Sequence, residues 1–170
     1  MQVRQATMKD ADPIAAICHS QFQVAHKKAL APDDLLFYVD KTFNKAAIEA
    51  DLSNPENIHF VATENDGEIL GCINLGKVYL HQALHIELAM EITRLYIKPS
   101  CIGKGVASAL MENVKSLARS KNIKTLWLHV YKGNEDAIKF YKKCGFEIVG
   151  EQNFPVRQSC PVGWVMRCEL

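Results

Sequence analysis

Residues 91–107 read EITRLYIKPSCIGKGVA, which joins a strand-like run, a loop with two glycines and the beginning of a helix. β-branched and aromatic residues are frequent in residues 91–97, and the Lys98-Pro99 step ends the predicted strand. Beyond the loop, apolar residues recur at the spacing of a helix face that reaches about Lys121. The apolar positions are Val106, Leu110, Val114 and Leu117. The stretch therefore predicts a strand–loop–helix unit.

The loop in this unit is a candidate site for a phosphate or pyrophosphate. Gly103 and Gly105 allow a tight turn, and the first N–H groups of the following helix have no partners inside it. Those donors and the positive end of the helix dipole attract an anion, and Lys104 adds a charge at the rim. Taken alone, the pattern fits an ordinary loop with two glycines equally well.

Two common nucleotide-binding loops fit this sequence poorly. A Walker A loop needs Gly-Lys-Ser/Thr four residues after a first glycine, and that sequence is absent. The dinucleotide fingerprint needs Gly or Ala where Ser108 stands, and it opens near the start of a parallel domain, whereas this loop lies past mid-chain. An enzyme acting on a nucleotide phosphate is therefore a distant alternative.

The rest of the chain alternates strand and helix patterns around this unit. Because a helix pattern separates strands 91–97 and 125–130, these two are expected to pair in parallel. The whole pattern predicts one mixed sheet of α/β class with helices on both faces. The other predicted strands cover residues 3–6, 58–63, 68–78, 146–150 and 162–168. A first helix follows a Thr7–Asp10 capping box and runs to about Lys28, a less regular and partly helical stretch covers 35–52, and a last helix covers 134–144 and ends at a left-handed Gly145. Residues 80–89 are ambiguous.

Length and composition narrow the class of protein. The chain has 170 residues and is predicted to form one domain, 1–170. The 20 Lys+Arg and 19 Asp+Glu leave a net charge of +1, which argues against nucleic acid as a partner. With no apolar run near ~18 residues and no apolar stretch at the start, we expect no membrane association and a cytoplasmic location.

Cysteine and histidine spacing gives no firm metal site. The six cysteines show no C-x-x-C pair or Cys/His zinc spacing, and free thiols are expected. His81 and His85 lie four apart with Glu87 close behind, but the sequence fixes no third ligand. We therefore expect no metal.

Three segments resemble one family. RLYIKP at 94–99, IGKGVA at 102–107 and NEDAIKFYKKCGF at 134–146 are similar to the Gcn5-related N-acetyltransferases, the GNAT family, which use acetyl-CoA. The resemblance covers essentially the whole chain. It implies a central mixed sheet of about six to seven strands flanked by about four helices. The first half, including Phe43-Asn44 and residues 51–55, most resembles bacterial spermidine/spermine acetyltransferases.

The resemblance also implies where acetyl-CoA binds as co-substrate. The main chain of residues 95–97 would pair with pantetheine, Asn134 would bond the same arm, and the loop would hold the pyrophosphate. The family usually has Gln or Arg where Ile102 stands, but its grip is mainly through backbone N–H groups, so binding is expected to survive. The expected cofactor residues are Leu95, Tyr96, Ile97, Ile102, Gly103, Lys104, Gly105, Val106, Ala107, Ser108, Asn134 and Tyr141.

Two residues are the candidates for proton transfer. A primary amine is mostly protonated at neutral pH, so a group must accept its proton. Glu91 is the leading candidate, with Glu87 second because it shares the same strand parity; a solvated strand residue is the alternative. Tyr141 matches the tyrosine that serves as general acid to the CoA thiolate in the family, and otherwise it is a core aromatic. A backbone N–H near Tyr96 is expected to face the developing oxyanion.

By analogy, the acceptor site is shaped by residues 23–43 and 152–161. Asp33, Asp34 and Asp40 make the first of these segments acidic, which suits a cationic polyamine, although a solvated helix start explains them equally well. The predicted activity is acetyl transfer from acetyl-CoA to a small primary amine by direct attack in a ternary complex. The protein is expected to be a monomer or a homodimer. The alternatives are a peptide or protein N-acetyltransferase and a non-catalytic acyl-CoA-binding module.

Overall fold

The computed structural model describes the backbone of residues 1–81 and 86–170 and the side chains of residues 1–76 and 89–170. Within these residues the chain forms one seven-stranded sheet with helices on both faces. In chain order the elements are β1 (Gln2–Gln5), α1 (Ala11–His26), α2 (Pro32–Thr42), α3 (Lys45–Ser53), β2 (Ile58–Thr63), β3 (Ile69–His81), β4 (Ile86–Ile97), α4 (Val106–Ser120), β5 (Thr125–Tyr131), α5 (Glu135–Lys143), β6 (Glu147–Asn153) and β7 (Val162–Glu169).

The strands lie in the order β1-β2-β3-β4-β5-β7-β6. β4 and β5 pair in parallel, joined by the α4 crossover, and the other neighbouring pairs are antiparallel. The mixed sheet and the parallel pair confirm the prediction made from the sequence. The residues that were ambiguous, 80–89, continue β3 as far as His81 and begin β4 at Ile86, with 82–85 outside the described part of the chain.

Two hydrophobic clusters cover the two faces of the sheet. On one face, Leu110 and Met111 of α4 pack with Leu126 and Leu128 of β5, all of them fully buried. On the other face, α1, α2 and α3 bury a cluster that includes Phe22. Burial of apolar surface on both sides of a central sheet is the main stabilising contribution in such a layered fold.

The helices differ in detail from the sequence prediction. Five α-helices occur in the described residues rather than about four, because the stretch predicted as irregular forms two regular helices. Pro32 stands in the first turn of α2, and the Asn44 side chain caps α3 by accepting a hydrogen bond from the Ala47 N–H at 2.9 Å. The Thr7–Asp10 box is present but closes a 3₁₀ turn that precedes α1.

Candidate functional site

The parallel strands β4 and β5 separate partway along their length. Their ladder runs from the pair Ala89–Thr125 to the pair Ile92–Leu128 and stops there, although both strands continue. Beyond this fork, the edge of β4 that faces away from β3 is no longer paired with β5. The carboxyl ends of two parallel strands therefore open into a cleft, which is where ligands bind in open α/β sheets.

A β-bulge at Thr93 lies directly beside the fork. On β3, Asn74 pairs with Arg94 and Leu75 pairs with Ile92, so Thr93 is an extra residue in β4. Its hydroxyl donates to the Asn74 carbonyl at 3.2 Å. Since side chains alternate along a strand, one inserted residue reverses the alternation. Glu91 and Arg94, on either side of the bulge, both border the fork, together with Ile92 and Thr93.

The glycine loop follows the carboxyl end of β4. Gly103 has φ +80° and Gly105 has φ +81°, so both occupy the left-handed region that favours glycine. The first turn of α4 contains no acidic residue, and Lys104 is exposed. These features fit a pyrophosphate, because backbone donors meet it without a competing carboxylate. Ile102 is 66% exposed, so its apolar side chain lies at the surface of the loop.

The other residues expected to hold the cofactor flank the fork. Leu95, Tyr96 and Ile97 pair with β3 along one edge, which leaves their other edge towards the cleft. Asn134 follows β5 and caps α5, where its side-chain oxygen accepts from the Ala137 N–H at 3.3 Å. The carbonyl of this amide is therefore committed to the helix, and the NH₂ group has no partner among the described residues.

A cavity of about 280 Å³ lies at the fork. Residues 91–94 of β4 and residues 129–131 of β5 form its floor, and Glu91 contributes a carboxylate there. Residues of α1, α2, the end of β6 and the connection from β6 to β7 form its walls, namely Phe22, His26, Tyr38, Gln152, Asn153, Phe154 and Pro161. Both segments expected to shape the acceptor site contribute to this lining.

Aromatic rings form much of the wall. Phe22 stacks between His26, at 3.9 Å between ring centroids, and Tyr38, at 4.6 Å. Tyr38 meets Phe154 edge-on at 5.6 Å. The ring centroids of His26 and of Tyr131 on β5 are 5.9 Å apart. Rings packed at these distances hold each other in place, so the cavity has a stiff apolar wall.

His26 adds a polar but uncharged group to this wall. Its Nδ1 lies 3.0 Å from the Phe22 carbonyl, which fixes the proton on that nitrogen and leaves Nε2 as an acceptor. Burial lowers the pKa of His26, against the opposing effect of the Phe22 carbonyl. The imidazole is therefore neutral at neutral pH.

Arg94 is the cation in the lining, and it is already paired. Its Nη1 lies 2.5 Å from Oδ2 of Asp51, and its guanidinium lies 5.3 Å from the centre of the Phe43 ring. Although burial acts in the opposite direction, the charge and hydrogen bond of Asp51 raise the pKa of Arg94. The pair contributes little net charge to the cavity, because the two charges nearly cancel.

Tyr141 does not line this cavity. It lies on α5, 8% exposed, in the cluster on the α4 face of the sheet, and its ring meets Phe146 at 5.8 Å. Burial raises its pKa, so the phenol keeps its proton. Burial is also the main reason that the pKa of Tyr96, which does line the cavity, is raised.

The acidic residues of α2 lie outside the cavity lining. Asp34 is 4% exposed and accepts hydrogen bonds from Ser159, while Asp40 faces solvent beside His19. Asp33 is exposed and is not a lining residue. The argument from an acidic segment to a polyamine is therefore not supported by the positions of these side chains.

Two residues of β5 and the candidate metal ligands complete the description. Trp127 is buried against Ala89 and Val165, and His129 lines the cavity beside it. The side chains of His81, His85 and Glu87 lie outside the described residues. Among the side chains that the structure describes, no three His, Cys, Asp or Glu residues form a metal-binding group. No helix in the described part of the chain is long and apolar enough to span a membrane.

Sequence reasoning named the segments that contain His26 and Phe154 but not these two residues, and it did not place Arg94 in the cavity. His26, Arg94 and Phe154 come from α1, β4 and the connection after β6, and the fold alone brings them together. No local spacing marks His26 or Phe154. Arg94 belongs to a strand pattern that was recognised, but neither the bulge beside it nor its pairing with Asp51 leaves a mark in the sequence.

Comparison with known proteins identifies the same fold and family. The profile described as the Acetyltransferase (GNAT) family matches residues 23–146. An uncharacterized N-acetyltransferase of Mycobacterium tuberculosis is 31% identical over 163 residues, covering 96% of this chain and 99% of the relative. Spermidine N(1)-acetyltransferase of Thermoplasma acidophilum is 19% identical over 151 residues, which cover 87% of this chain and 89% of the relative. The crystal structure of the PaiA N-acetyltransferase from T. acidophilum with coenzyme A superimposes with a TM-score of 0.80 at 17% identity, covering 99% and 98% of the two chains.

Proposed function

The chain belongs to the GNAT family of acetyl-CoA-dependent N-acetyltransferases, and we propose that it acetylates the primary amine of a small molecule by direct attack in a ternary complex. One observation carries the proposal. The cavity that Glu91 lines is located at the fork between β4 and β5. An amine in this cavity would therefore lie next to the cleft in which the thioester arm of acetyl-CoA would lie.

The residues around the fork divide into holding and proton-transfer roles. The edge of residues 95–97 and the amide of Asn134 would hold the pantetheine arm, and the loop from Ile102 to Ser108 would hold the pyrophosphate. The CoA seen with the T. acidophilum structure supports this assignment. Acetyl-CoA supplies the acyl group, while the protein positions the amine and moves the protons.

Glu91 is the proposed proton acceptor for the attacking amine. It lies in the cavity floor on the strand that borders the cleft, so an amine bound there can lose its proton to the carboxylate directly or through water. Tyr141 is the proposed donor to the departing thiolate, because its buried phenol stays protonated. The backbone N–H near Tyr96 is the proposed donor to the oxyanion.

The acceptor is proposed to be a small amine. A polyamine is one member of this class, and the spermidine acetyltransferase from T. acidophilum, 19% identical, supports including it. A peptide N-terminus is a larger acceptor that the same chemistry would accommodate. A cytoplasmic location and a monomeric or dimeric state stay predictions.

Release of CoA thiol tests the proposal. Purified protein is incubated with acetyl-CoA and, separately, with spermidine, spermine, lysine, simple monoamines, aminoglycosides and short peptides, and mass spectrometry identifies any acetylated product. Saturable, amine-dependent release with an N-acetyl product is expected. Acetyl-CoA binding without release for any amine would indicate a binding module instead. No binding of acetyl-CoA would overturn the proposal entirely.

A further inference from the structure

The ring of Tyr131 occupies the space that a side chain at position 133 would need. The Asn134 N–H donates to the Tyr131 carbonyl at 2.9 Å, and this tight turn brings Gly133 against the ring. A methyl carbon added at Gly133 would lie 2.5 Å from Cε1, 2.8 Å from Cζ and 2.9 Å from Oη of Tyr131. The φ of Gly133 is not positive, so the backbone itself would accept a side chain. The ring of Tyr131 is therefore what this glycine makes room for.

A second glycine leaves space beside the same ring. Gly163 of β7 is the direct partner of Tyr131 in the antiparallel ladder of β5 and β7. Side chains of directly opposed residues point to the same face of a sheet, so a larger residue at position 163 would stand next to the ring. Gly163 lines the cavity, as Tyr131 does. Two glycines thus leave the ring its place at the end of β5.

The ring closes one side of the cavity at the fork. The parallel ladder of β4 and β5 ends at Leu128, three residues before Tyr131, so the ring belongs to the part of β5 that borders the opening. It meets His26 of α1 with 5.9 Å between ring centroids, which is within the contact range of aromatic rings. His26 is itself held by its stacking on Phe22 and by the Phe22 carbonyl. The position of the Tyr131 ring therefore decides how far this side of the cavity is closed.

We propose that Tyr131 determines the size of the acceptors that fit the cavity, and that Gly133 is a positioning residue that holds the ring of Tyr131 at the fork. This inference rests on the proposed function and adds to it the residue that limits the acceptor. The atoms that a methyl group at position 133 would meet lie at the tip of a flexible side chain, so the ring would be displaced and the sheet would stay intact. The cavity would change its shape at that point.

Butylamine and 4-phenylbutylamine form a matched pair that tests the role of Tyr131. They share a primary amine and a four-carbon chain, and only the second has a distal phenyl group. Tyr131→Ala opens a space the size of a phenol ring, which that phenyl group can fill. We expect the ratio of kcat/KM for 4-phenylbutylamine to that for butylamine to rise at least tenfold. Tyr131→Phe keeps the ring, and its ratio should stay within twofold of wild type. An equal ratio in Tyr131→Ala and wild type would overturn the inference.

A double variant tests whether Gly133 acts through the ring. Gly133→Ala is expected to raise KM for butylamine at least fivefold in the wild-type background, because the ring is displaced. In the Tyr131→Ala background the same change should raise KM less than twofold, because no ring is left to displace. Gly150→Ala, with a φ that is not positive and a methyl group that meets nothing within 4 Å, should change KM in neither background. Equal increases from Gly133→Ala in both backgrounds would contradict the positioning role.

Binding of acetyl-CoA distinguishes the ring from the turn next to it. Asn134 is proposed to hold the pantetheine arm, so a change at Gly133 that acted through Asn134 would weaken acetyl-CoA binding. We expect the Kd for acetyl-CoA to stay within twofold of wild type in both Gly133→Ala and Tyr131→Ala. A Kd that rises as much as KM would show that Gly133 maintains the turn, and it would overturn the positioning role.

Equilibrium binding of the amines separates failure of this inference from failure of the proposed function. Each amine of the matched pair is titrated calorimetrically into the protein saturated with CoA, which requires no turnover. A tenfold change in the ratio of the two Kd values in Tyr131→Ala, without acetylation of either amine, would retain the size limit and remove the transfer activity. Acetylation with a kcat/KM ratio that Tyr131→Ala leaves unchanged would retain the activity and remove the size limit. Failure of both amines to bind to wild type and to Tyr131→Ala would also overturn the inference.

Discussion

Asp34 and Ser159 lie 125 positions apart, yet Oδ2 of Asp34 accepts hydrogen bonds from both the N–H of Ser159, at 2.8 Å, and its hydroxyl, at 2.7 Å. The same hydroxyl oxygen accepts from the Ala31 N–H at 3.0 Å. These bonds join the beginning of α2 to the β6–β7 connection. Further along, Tyr38 of α2 and Phe154 and Pro161 of the connection line the cavity. The Ser159 hydroxyl, its N–H and the nearby Arg157 charge lower the pKa of Asp34.

Ser159→Ala should therefore loosen one wall of the cavity. We expect KM for the amine to rise several-fold, because Asp34 and Ala31 lose their shared partner, while the Kd for acetyl-CoA stays within twofold. Steady-state kinetics and calorimetric titration with acetyl-CoA measure the two effects. Ser120→Ala removes a hydroxyl bonded at the end of α4 and is the control. An equal rise in KM in both variants would show that the fastening is irrelevant to the cavity.

Tyr141→Phe should lower kcat and leave binding intact. The substitution removes only the phenolic oxygen from a buried ring, so packing against Phe146 is retained. General acid catalysis contributes typically 10²–10⁴-fold, so kcat is expected to fall at least ~10²-fold. Single-turnover rates and the Kd for acetyl-CoA check this. A variant with unaltered kcat would assign Tyr141 to the core alone.

Glu91→Gln should change the pH dependence of the reaction. An amide of nearly the same shape cannot accept a proton, so kcat/KM at pH 7 is expected to fall ~10²-fold and to recover partly at high pH, where free amine is abundant. The measurement is the pH–rate profile of wild type and variant with the same acceptor. If the two profiles have the same shape, another group or water is the base.

Local features of the fold were predictable, and those that depend on distant contacts were not. The parallel pairing of β4 and β5 follows from the helix between them, and the left-handed Gly145, at φ +89°, follows from its place after a helix. By contrast, the pairing of Asp34 with Ser159 depends on tertiary packing across the chain. An acidic helix start therefore looked solvated or substrate-binding in the sequence, although Asp34 is 4% exposed.

The same limit applies to the candidate site. The glycine loop can be recognised in the sequence, because two glycines so close together indicate a tight turn without reference to distant residues. Gly103 and Gly105 indeed have positive φ. The bulge at Thr93 cannot be recognised in this way, because a strand with one inserted residue has the same residue types as a regular strand. The ion pair of Arg94 with Asp51, which balances the charge of Arg94 at the cavity, likewise became visible only in the folded chain.

Gly105→Ala should weaken acetyl-CoA binding. At φ +81° an L-residue is strained by about 1–2 kcal/mol, and the strain falls on the residue before the first helical N–H groups. We expect the Kd for acetyl-CoA to rise about tenfold with a small drop in melting temperature. Gly150→Ala is a matched control on β6, because its φ is not positive and its added methyl meets nothing within 4 Å. Equal Kd values in the two variants would show that the loop does not hold the anion.

Asp10 should make the stability of the fold depend on pH in the acid range. Its two oxygens accept from the Arg4 guanidinium at 2.8 Å each, and one accepts from the Thr7 N–H at 2.7 Å. The hydrogen bond from Arg4, the largest cause, lowers the pKa of Asp10 to about 2 from 3.8, against its burial. A lowered folded-state pKa stabilises the fold above the unfolded value and stops doing so as the pH falls towards the folded value.

Asp10→Asn is therefore expected to lower the free energy of unfolding by about 2 kcal/mol at pH 7, and by less and less below about pH 4. Urea unfolding of both proteins at pH 7, 5 and 3 measures the difference. Asp136→Asn, at a fully exposed position on α5, should change stability by less than about 0.5 kcal/mol at each pH. A difference for Asp10→Asn that is constant from pH 7 to pH 3 would contradict the linkage, because the lost contacts would then not depend on the ionised carboxylate.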